Sequence, residues 1–333
     1  MKYCTRCILP ESYPGILFNE EGVCNFCLEQ QNENAVLGKE KLLEIVHSTE
    51  KTGRYDCVVP LSGGKDSSYI LYYVVKELGL TPIAVNYNSG YQSKYAEENV
   101  RNACKSLGVD LEEVHSSGNI QKKILKASYE LSKRTGMVWG CANCPAILRV
   151  VPINVARKNK VPYVMWGSSK TETVFSQDYS RSVSRIVKKI LKNPTILFFG
   201  FLYFFFRIIQ RITLRFPLRL VFNPVSIPAF TEKDPRFIHF FDYIQWDSMK
   251  NVRLLENELG WVHPEGIDSR FDCTLNCIGN VFYSKQYGIT HDGIALSNFV
   301  REGKLSREEA MKRELLVKMA SDEEYASLIS RLQ

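Results

Sequence analysis

The stretch that decides the fold of this chain is Cys57–Ser68, which reads CVVPLSGGKDSS. Its first five residues form an apolar run that predicts a buried strand, and Ser67 to Leu78 has the pattern of a helix that ends at Gly79. The two glycines between them let the backbone approach an anion closely, and the start of the following helix favours phosphate. The spacing is not the GxxxxGK[ST] of a Walker A loop.

Strand and helix patterns alternate through the first half of the chain. Further strands are predicted at Pro82–Asn86 and Pro162–Trp166, and helices at residues 39–50, 94–107, 120–133 and 145–158. This alternation predicts an α/β fold, a parallel sheet with helices on both faces whose ligands bind beyond the carboxyl ends of the strands. The last hundred residues look mostly helical, and the final helix is predicted over Ser306–Ser330.

Length and composition indicate an ordinary globular protein of about two domains. The chain has 333 residues, of which 45% are hydrophobic and 24% charged. Its ten cysteines are too sparse for a disulfide scaffold and cluster in CxxC pairs. Because residues 1–20 lack a secretory pattern, we expect a reducing, cytoplasmic environment.

The net charge of +7 is concentrated in one segment. Nine Lys and Arg residues and no acid lie between Arg181 and Arg219, so the rest of the chain has a net charge of −2. Within this segment, residues 193–206 are uncharged and rich in Phe and Leu, and are too short for the roughly 20 residues of a spanning helix. A basic stripe beside apolar residues favours contact with the inner face of a membrane; a buried dimer or partner interface is the alternative, and RNA fits poorly.

Two CxxC knuckles lie at the start of the chain and are separated by sixteen residues. Four thiolates at this spacing can close a tetrahedral zinc site, and the first thirty residues contain too few apolar side chains to fold without such support. We therefore predict a zinc ribbon, with an iron–sulfur centre or free thiols as the alternatives. The predicted ligands are Cys4, Cys7, Cys24 and Cys27.

The loop at residues 62–68 resembles the SGGxDS signature of the PP-loop ATP pyrophosphatases, which cleave ATP to AMP and pyrophosphate while adenylating an oxygen atom. This resemblance implies a five-stranded parallel sheet and a site for ATP and Mg²⁺. Asp66 would then lie near magnesium and Lys65 would offset phosphate charge. The implied nucleotide-binding residues are Ser62, Gly63, Gly64, Ser67, Ser68, Asn86, Tyr87 and Gly167. Trp166 is predicted either to contact adenosine or to belong to the core.

A closer resemblance joins several motifs spread over the chain. Met1–Pro10, residues 55–67, Tyr287-Gly288 and Arg301–Lys304 are similar to the N-acetyl sugar amidotransferase family. The family resemblance implies conversion of an acetamido group of a nucleotide-activated sugar to an acetamidino group, for lipopolysaccharide or flagellin glycans. It also implies ammonia delivered by a partner glutaminase–cyclase pair. The domains expected are a zinc ribbon and linking helix, an ATP-binding domain, a basic apolar insert and a helical substrate or partner region, at residues 1–50, 51–185, 186–232 and 233–333.

A second cysteine set departs from this family. Cys141-x2-Cys144 resembles the CxxC of iron–sulfur-dependent tRNA thiolation enzymes, which are also PP-loop proteins, and Cys273 or Cys277 would supply the third cysteine. A 4Fe–4S cluster on three thiolates would leave one iron open to bind sulfur or ammonia, which makes sulfur a second candidate for the transferred atom. A second zinc, catalytic thiols near the reacting carbonyl, or thiols that only pack are the other interpretations. Cys57 and Cys104 are assigned to the core.

Three polar residues in the last third remain as candidates. Arg270 and Asp272 flank Phe271, as active-site residues or as a solvated pair. His291 is expected in a loop, as a substrate or magnesium contact or as a structural residue. Three hypotheses follow: a sugar amidotransferase, a tRNA or small-molecule sulfurtransferase, and a non-catalytic membrane scaffold that keeps the nucleotide fold.

Overall fold

The computed structural model describes residues 2–29, 36–48, 53–116, 120–135, 144–167, 235–245, 248–264 and 270–332. The chain divides into two compact units, Met1–Ser169 with Phe230–Gln333, and Lys170–Ala229. The second unit, with the predicted basic insert, lies outside the described residues. In the described part, no helix is long and apolar enough to cross a membrane.

The centre of the first unit is a five-stranded, fully parallel sheet. Its strand order is β3-β2-β1-β4-β5, with the strands at Cys57–Pro60 (β1), Pro82–Asn88 (β2), Asp110–His115 (β3), Tyr163–Trp166 (β4) and Arg236–His239 (β5). In this order the chain moves outward from β1 to β3 and then returns to the other side of β1. The crevice where the direction reverses lies at the carboxyl ends of β1 and β4, which is where ligands of such sheets bind. The α/β prediction is confirmed.

Helices cover the sheet and continue into the C-terminal part. The helices are Asn25–Glu29 (α1), Lys39–His47 (α2), Lys65–Lys76 (α3), Lys94–Leu107 (α4), Ile120–Thr135 (α5), Cys144–Asn159 (α6), Ser248–Leu259 (α7), Asn276–Tyr287 (α8), His291–Arg301 (α9) and Arg307–Leu332 (α10), and a 3₁₀ helix spans Phe240–Asp242. The long α10 packs against both α8 and α9. The prediction of a mostly helical C-terminal region is confirmed, although His291 begins a helix instead of lying in a loop, because Thr290 caps it.

Two apolar clusters hold the sheet from its two faces. Residues of α2, α3, α4 and α7 pack on one face, around Leu71, Val74 and Phe240. Residues of α6 pack on the other face with Val58 and Val164. The three residues Cys57, Val58 and Val59 are completely buried, as expected for a central parallel strand covered on both faces. Cys57 and Cys104 both belong to the first cluster, as predicted.

Candidate functional site

The Ser-Gly-Gly loop joins β1 to α3 at the crevice. Gly63 has φ +83°, and a Cβ atom there would lie 2.1 Å from the carbonyl oxygen of Ala96, so only glycine fits. The Ser67 hydroxyl closes the loop: it accepts from the Ser62 N–H at 3.1 Å and donates to the carbonyl of Gly64 at 3.1 Å. Gly64 is the N-cap of α3 and brings no capping side chain. The start of α3 therefore presents its backbone donors and positive dipole end where an anion can bind.

Four side chains donate hydrogen bonds to the backbone carbonyl oxygens of residues 61–63, at the start of the loop. The Trp261 indole N–H and the Asn99 amide both donate to the carbonyl of Gly63, at 3.0 and 3.1 Å. Gln92 donates to Ser62 at 3.0 Å, and Asn86 donates to Leu61 at 2.7 Å. With the carbonyl oxygens turned to these donors, the loop is pre-organised to bind an anion through its N–H groups.

Three of these supporting residues could not be found from the sequence. Trp261 lies 198 residues from Gly63, Asn99 36 residues and Gln92 30 residues from their partners. No motif marks them, because their role depends on where the tertiary fold brings their elements. Asn86 was predicted at the site, and its amide is committed to the loop backbone.

Other predicted nucleotide contacts lie at or beside the crevice. Tyr87 is half-buried near the end of β2, and Gly167 follows β4, where an added Cβ atom would lie 2.9 Å from Ile70. Ser68 is fully buried and its N–H donates to the carbonyl of Gly64, so it packs within α3. Trp166 packs edge-on against Phe237, with Arg149 over its ring.

Asp272 approaches the loop from the C-terminal region. Residues 91–93 run beside residues 272–274: Ser93 donates to the carbonyl of Asp272 at 3.2 Å, and Thr274 donates to that of Tyr91 at 2.9 Å. This pairing places an Asp272 carboxylate oxygen 3.6 Å from where a Cβ atom of Gly64 would lie. The sequence had left Asp272 between an active-site and a surface role.

Lys65 connects the loop to α9. Its Nζ atom lies 5.4 Å from the centre of the Phe299 ring. An ammonium over an aromatic face is attracted by the ring quadrupole, so this contact holds the Lys65 side chain between the loop and α9.

The four N-terminal cysteines converge on one point. Their sulfur atoms all lie within 4.8 Å of one another, and the side chains are completely or almost completely buried. The Cys4–Cys27 and Cys7–Cys24 sulfur pairs are 3.8 Å apart, which matches the separation of about 3.8 Å for four sulfurs placed 2.3 Å from one tetrahedral ion. In a 4Fe–4S cluster each thiolate binds a different iron, so the four sulfurs are spread further apart than they are here. The cluster fits a single metal ion.

The charge of this cluster also favours a cation. Hydrogen bonds from Cys24 and Cys27 lower the pKa of Cys7 to about 2. For Cys24, a hydrogen bond from Cys27 lowers the pKa, but the bond to Cys7, burial and the Cys7 charge raise it to about 12. Neighbouring buried thiolates repel one another, and a divalent cation removes this obstacle to ionising all four.

Two arginines attach the cysteine cluster to the C-terminal helices. The Arg301 guanidinium, at the end of α9, donates to the Cys7 sulfur at 3.6 Å. Arg307, at the start of α10, donates to the carbonyls of Cys4 and Cys7 at 3.1 Å each. Ser12 adds a 2.6 Å bond to the carbonyl of Tyr287. The motif at 301–304 therefore lies against the cluster, where the guanidinium can offset thiolate charge, and the motif at 287–288 lies against the N-terminal segment.

The second cysteine set is only partly visible. Cys141 lies outside the described residues, and of Cys144 only the backbone at the start of α6 is described. Cys273 is half-buried, and its backbone forms an antiparallel β-bridge with Gln92. It packs against the apolar cluster that contains Leu125 and the buried Cys277. In the part of the chain that is described, the N-terminal cysteines are the one group of three or more His, Cys or acidic residues arranged to hold a metal ion.

A buried polar network stabilises the junction of α8, α9 and α10. Asp292 accepts from the Asn276 and Asn280 amides at 2.8 and 3.0 Å. Burial raises the pKa of Asp292, but hydrogen bonds from His291 and Asn280 and the charges of His291 and Arg270 lower it more, so the pKa is below its usual value. His291 lies 3.8 Å from Asp292 and its ring packs on α8, so it belongs to the same junction.

Comparison with known proteins gives limited matches. No family model matches the chain. A stretch of 113 residues is 33% identical to the uncharacterized protein MJ1599 of Methanocaldococcus jannaschii and covers 32% of this chain and 40% of that protein. The match thus spans less than half of that relative's length.

Similar solved structures share little sequence with this chain. One is the U34-tRNA thiolase NcsA of Methanococcus maripaludis with its [4Fe-4S] cluster, which is 15% identical over 95% of this chain and 88% of that chain, with a TM-score of 0.39. Another is an NMN synthetase of Francisella tularensis, which is 14% identical over 86% of this chain and 93% of that chain, with a TM-score of 0.37. A third is an NH3-dependent NAD synthetase of Campylobacter jejuni, which is 21% identical over 40% of this chain and 56% of that chain, with a TM-score of 0.31. TM-scores of this size are too low to support a conclusion about function.

Proposed function

We propose that this protein binds ATP at the loop of residues 62–68 and uses it to adenylate an oxygen atom, releasing pyrophosphate. The observation that carries this proposal is the pre-organised loop. Gly63 packs closely against the backbone of Ala96, and its carbonyl accepts hydrogen bonds from Trp261 and Asn99. The backbone donors at the start of α3 lie where the strand order of the sheet reverses. Lys65 beside Phe299 supplies a positive charge for the phosphates.

The substrate that we favour is the acetamido group of a nucleotide-activated sugar, which the loop and cysteine motifs support through their resemblance to the sugar amidotransferases. The contact of Arg301 with Cys7 gives two of these motifs a shared structural role. Physically, an amide oxygen is a poor leaving group, and adenylation turns it into part of a good one.

The proposed reaction has two steps, adenylation of the amide oxygen and displacement of AMP by ammonia. The amide oxygen attacks the α-phosphorus of ATP, the bond to the β-phosphate oxygen breaks, and pyrophosphate leaves. Ammonia then adds to the former carbonyl carbon, AMP leaves with the original amide oxygen, and a proton is released as the amidine forms. The chain's part is to hold the pyrophosphate at the loop and to align the sugar with the α-phosphorus.

For the metals, we propose zinc at the four N-terminal cysteines, because their number, sulfur chemistry and separation suit a closed structural site. Mg²⁺ accompanying ATP would be held on the side of Asp66. A glutaminase–cyclase pair as the ammonia source, and a membrane contact through residues 186–230, remain part of this proposal.

An isotope experiment tests the amidotransferase proposal. The purified protein is incubated with ATP, ammonia and a nucleotide-activated N-acetyl sugar whose acetamido oxygen is ¹⁸O. The proposal predicts that ¹⁸O appears in AMP and that the sugar mass changes by replacement of O with NH. AMP without ¹⁸O, or an unchanged sugar across a panel of such substrates, contradicts it. The Asp66→Asn variant serves as the inactive control.

Sulfur transfer is the second candidate, and one observation favours it. The backbone of Cys273 forms a β-bridge with Gln92, whose side chain donates to Ser62, so the fold brings a cysteine close to the Ser-Gly-Gly loop in space. With Cys141 and Cys144 it would complete a three-cysteine set for a 4Fe–4S cluster. Iron and labile sulfide in anaerobically purified protein, and their loss in Cys273→Ser, would support this candidate, whereas zinc without iron would contradict it.

A further inference from the structure

One carboxylate at the phosphate loop has no evident structural role. Asp272 is half-buried, and an oxygen of its side chain lies 3.6 Å from the position of a Gly64 Cβ atom. Among the described residues, its carboxylate takes part in no hydrogen bond and no ion pair. Its backbone, by contrast, is fixed by the pairing of residues 272–274 with residues 91–93.

Aromatic packing fixes the position of the residue that precedes Asp272. Phe271 packs against both Trp261 and His263, at ring distances of 5.6 and 5.0 Å. Trp261 in turn binds the carbonyl of Gly63. Trp261 thus contacts both the loop, at Gly63, and the residue before Asp272. The Asp272 carboxylate is therefore held close to any ligand that the loop binds.

An acid beside an anion-binding loop is electrostatically unfavourable unless a cation lies between them. Two like charges at such close range repel by several kcal/mol at an effective protein dielectric of about 20. Mg²⁺ resolves this conflict, because in nucleotide sites it is bound by one or two carboxylates together with substrate phosphates. Asp66, in the first turn of α3, supplies one such carboxylate from the loop itself.

We propose that Asp272 is a second acidic ligand of the nucleotide-bound magnesium, acting together with Asp66. The donor set of two carboxylates and phosphate oxygens fits the preference of Mg²⁺ for oxygen ligands. This inference rests on the proposed function, since it requires ATP at the loop. It assigns the C-terminal region a direct part in the nucleotide site.

The test measures binding without turnover. Affinity for α,β-methylene-ATP, which cannot be cleaved between the α- and β-phosphates, is measured by calorimetry with Mg²⁺ and with EDTA, and bound Mn²⁺ is followed by its EPR signal. For Asp272→Asn we expect affinity at least tenfold lower with Mg²⁺, unchanged or higher affinity with EDTA, and loss of the nucleotide-dependent Mn²⁺ signal. Asp272→Glu, which keeps the charge, should retain part of that signal.

Three outcomes would overturn the inference. Asp272→Asn could bind the nucleotide as the wild type does in both conditions, or bind it more tightly in both, as expected if the carboxylate only competes with phosphate. It could also lower both affinities equally while Asp272→Glu shows normal Mn²⁺ binding. The exposed Asp322→Asn variant of α10 is the matched control. If the wild type itself binds no nucleotide, the proposed function fails instead.

Discussion

The indole N–H of Trp261 donates to the carbonyl oxygen of Gly63 at 3.0 Å, across 198 residues of sequence. This bond joins the loop after the first strand to the segment that follows α7. Asn99 strengthens the junction, because its side chain also pairs with the backbone of Val262, accepting at 2.7 Å and donating at 2.9 Å. The C-terminal region thereby fixes the shape of the Ser-Gly-Gly loop.

Replacing Trp261 by Phe should loosen this loop. The variant loses the bond to Gly63 while it keeps an aromatic ring, and we expect a stability loss of about 1 kcal/mol and several-fold weaker ATP binding. Chemical denaturation and calorimetry measure the two effects. Tyr55→Phe is the matched control, since it also removes one side-chain hydrogen bond and keeps a ring, but Tyr55 donates to Asp110 ahead of β1 and not to the loop. Equal effects of the two substitutions on ATP affinity would contradict this account.

The two loop glycines should respond differently to alanine. At Gly63, φ is +83° and the added methyl would collide with Ala96, so Gly63→Ala should fold poorly or lose ATP binding altogether. Gly64 has φ −74°, and its nearest new contacts are the Ser62 hydroxyl at 3.3 Å and Asp272 at 3.6 Å. Gly64→Ala should therefore keep wild-type stability and weaken nucleotide binding. Thermal denaturation with and without ATP separates the two cases, and a destabilised Gly64→Ala would contradict the geometry.

The metal site should depend on Arg301. Arg301→Gln removes a guanidinium that donates to the Cys7 sulfur, so we expect a metal affinity 10- to 100-fold lower, as for other residues that support metal ligands. Release of zinc to a coloured chelator measures it. Arg313→Gln is the control, because that arginine pairs with Glu309 on α10, away from the cysteines. Metal analysis of the wild type should give one zinc per chain, and identical release from both variants would rule out this role for Arg301.

Asp292 should make stability depend on pH. Because its pKa in the folded protein is below the usual value, the charged carboxylate stabilises the fold above that usual value, and the contribution is lost as pH falls through the lower, folded-state pKa. Asp292→Asn leaves the Asn276 and Asn280 amides facing another amide, at an expected cost of about 1–3 kcal/mol near pH 7. The difference in unfolding free energy from the wild type should shrink below about pH 4. A difference that is constant with pH would contradict the assignment.

How much of this could be predicted from sequence depends on where the information lies. The central strand, its loop and the four clustered cysteines have local patterns, so β1, α3 and the grouping of the four cysteines could be predicted from the sequence. The strands β3 and β5 were not predicted, because they lie at the sheet edges: Asp110–His115 is rich in charge and half-exposed, and Arg236–His239 is short and polar at both ends.

The residues that hold the loop could not be predicted from the sequence for a different reason. Trp261, Asn99 and Gln92 act through hydrogen bonds to the backbone of distant residues, and such a role leaves no local pattern. Asp272 stood out only as an acid before a cysteine, and its nearness to Gly64 follows from the pairing with residues 91–93. Tertiary contacts, and not motif spacing, assemble this side of the site.

The most direct test of the central claim is the identity of the nucleotide products. The protein is incubated with Mg²⁺, an acceptor sugar, ammonia and ATP labelled at either the α- or the γ-phosphate, and the products are separated by chromatography. Binding of the pyrophosphate by the Gly63–Gly64 loop predicts α-label in AMP and γ-label in pyrophosphate, both lost in Gly63→Ala. Label in ADP and orthophosphate would contradict it.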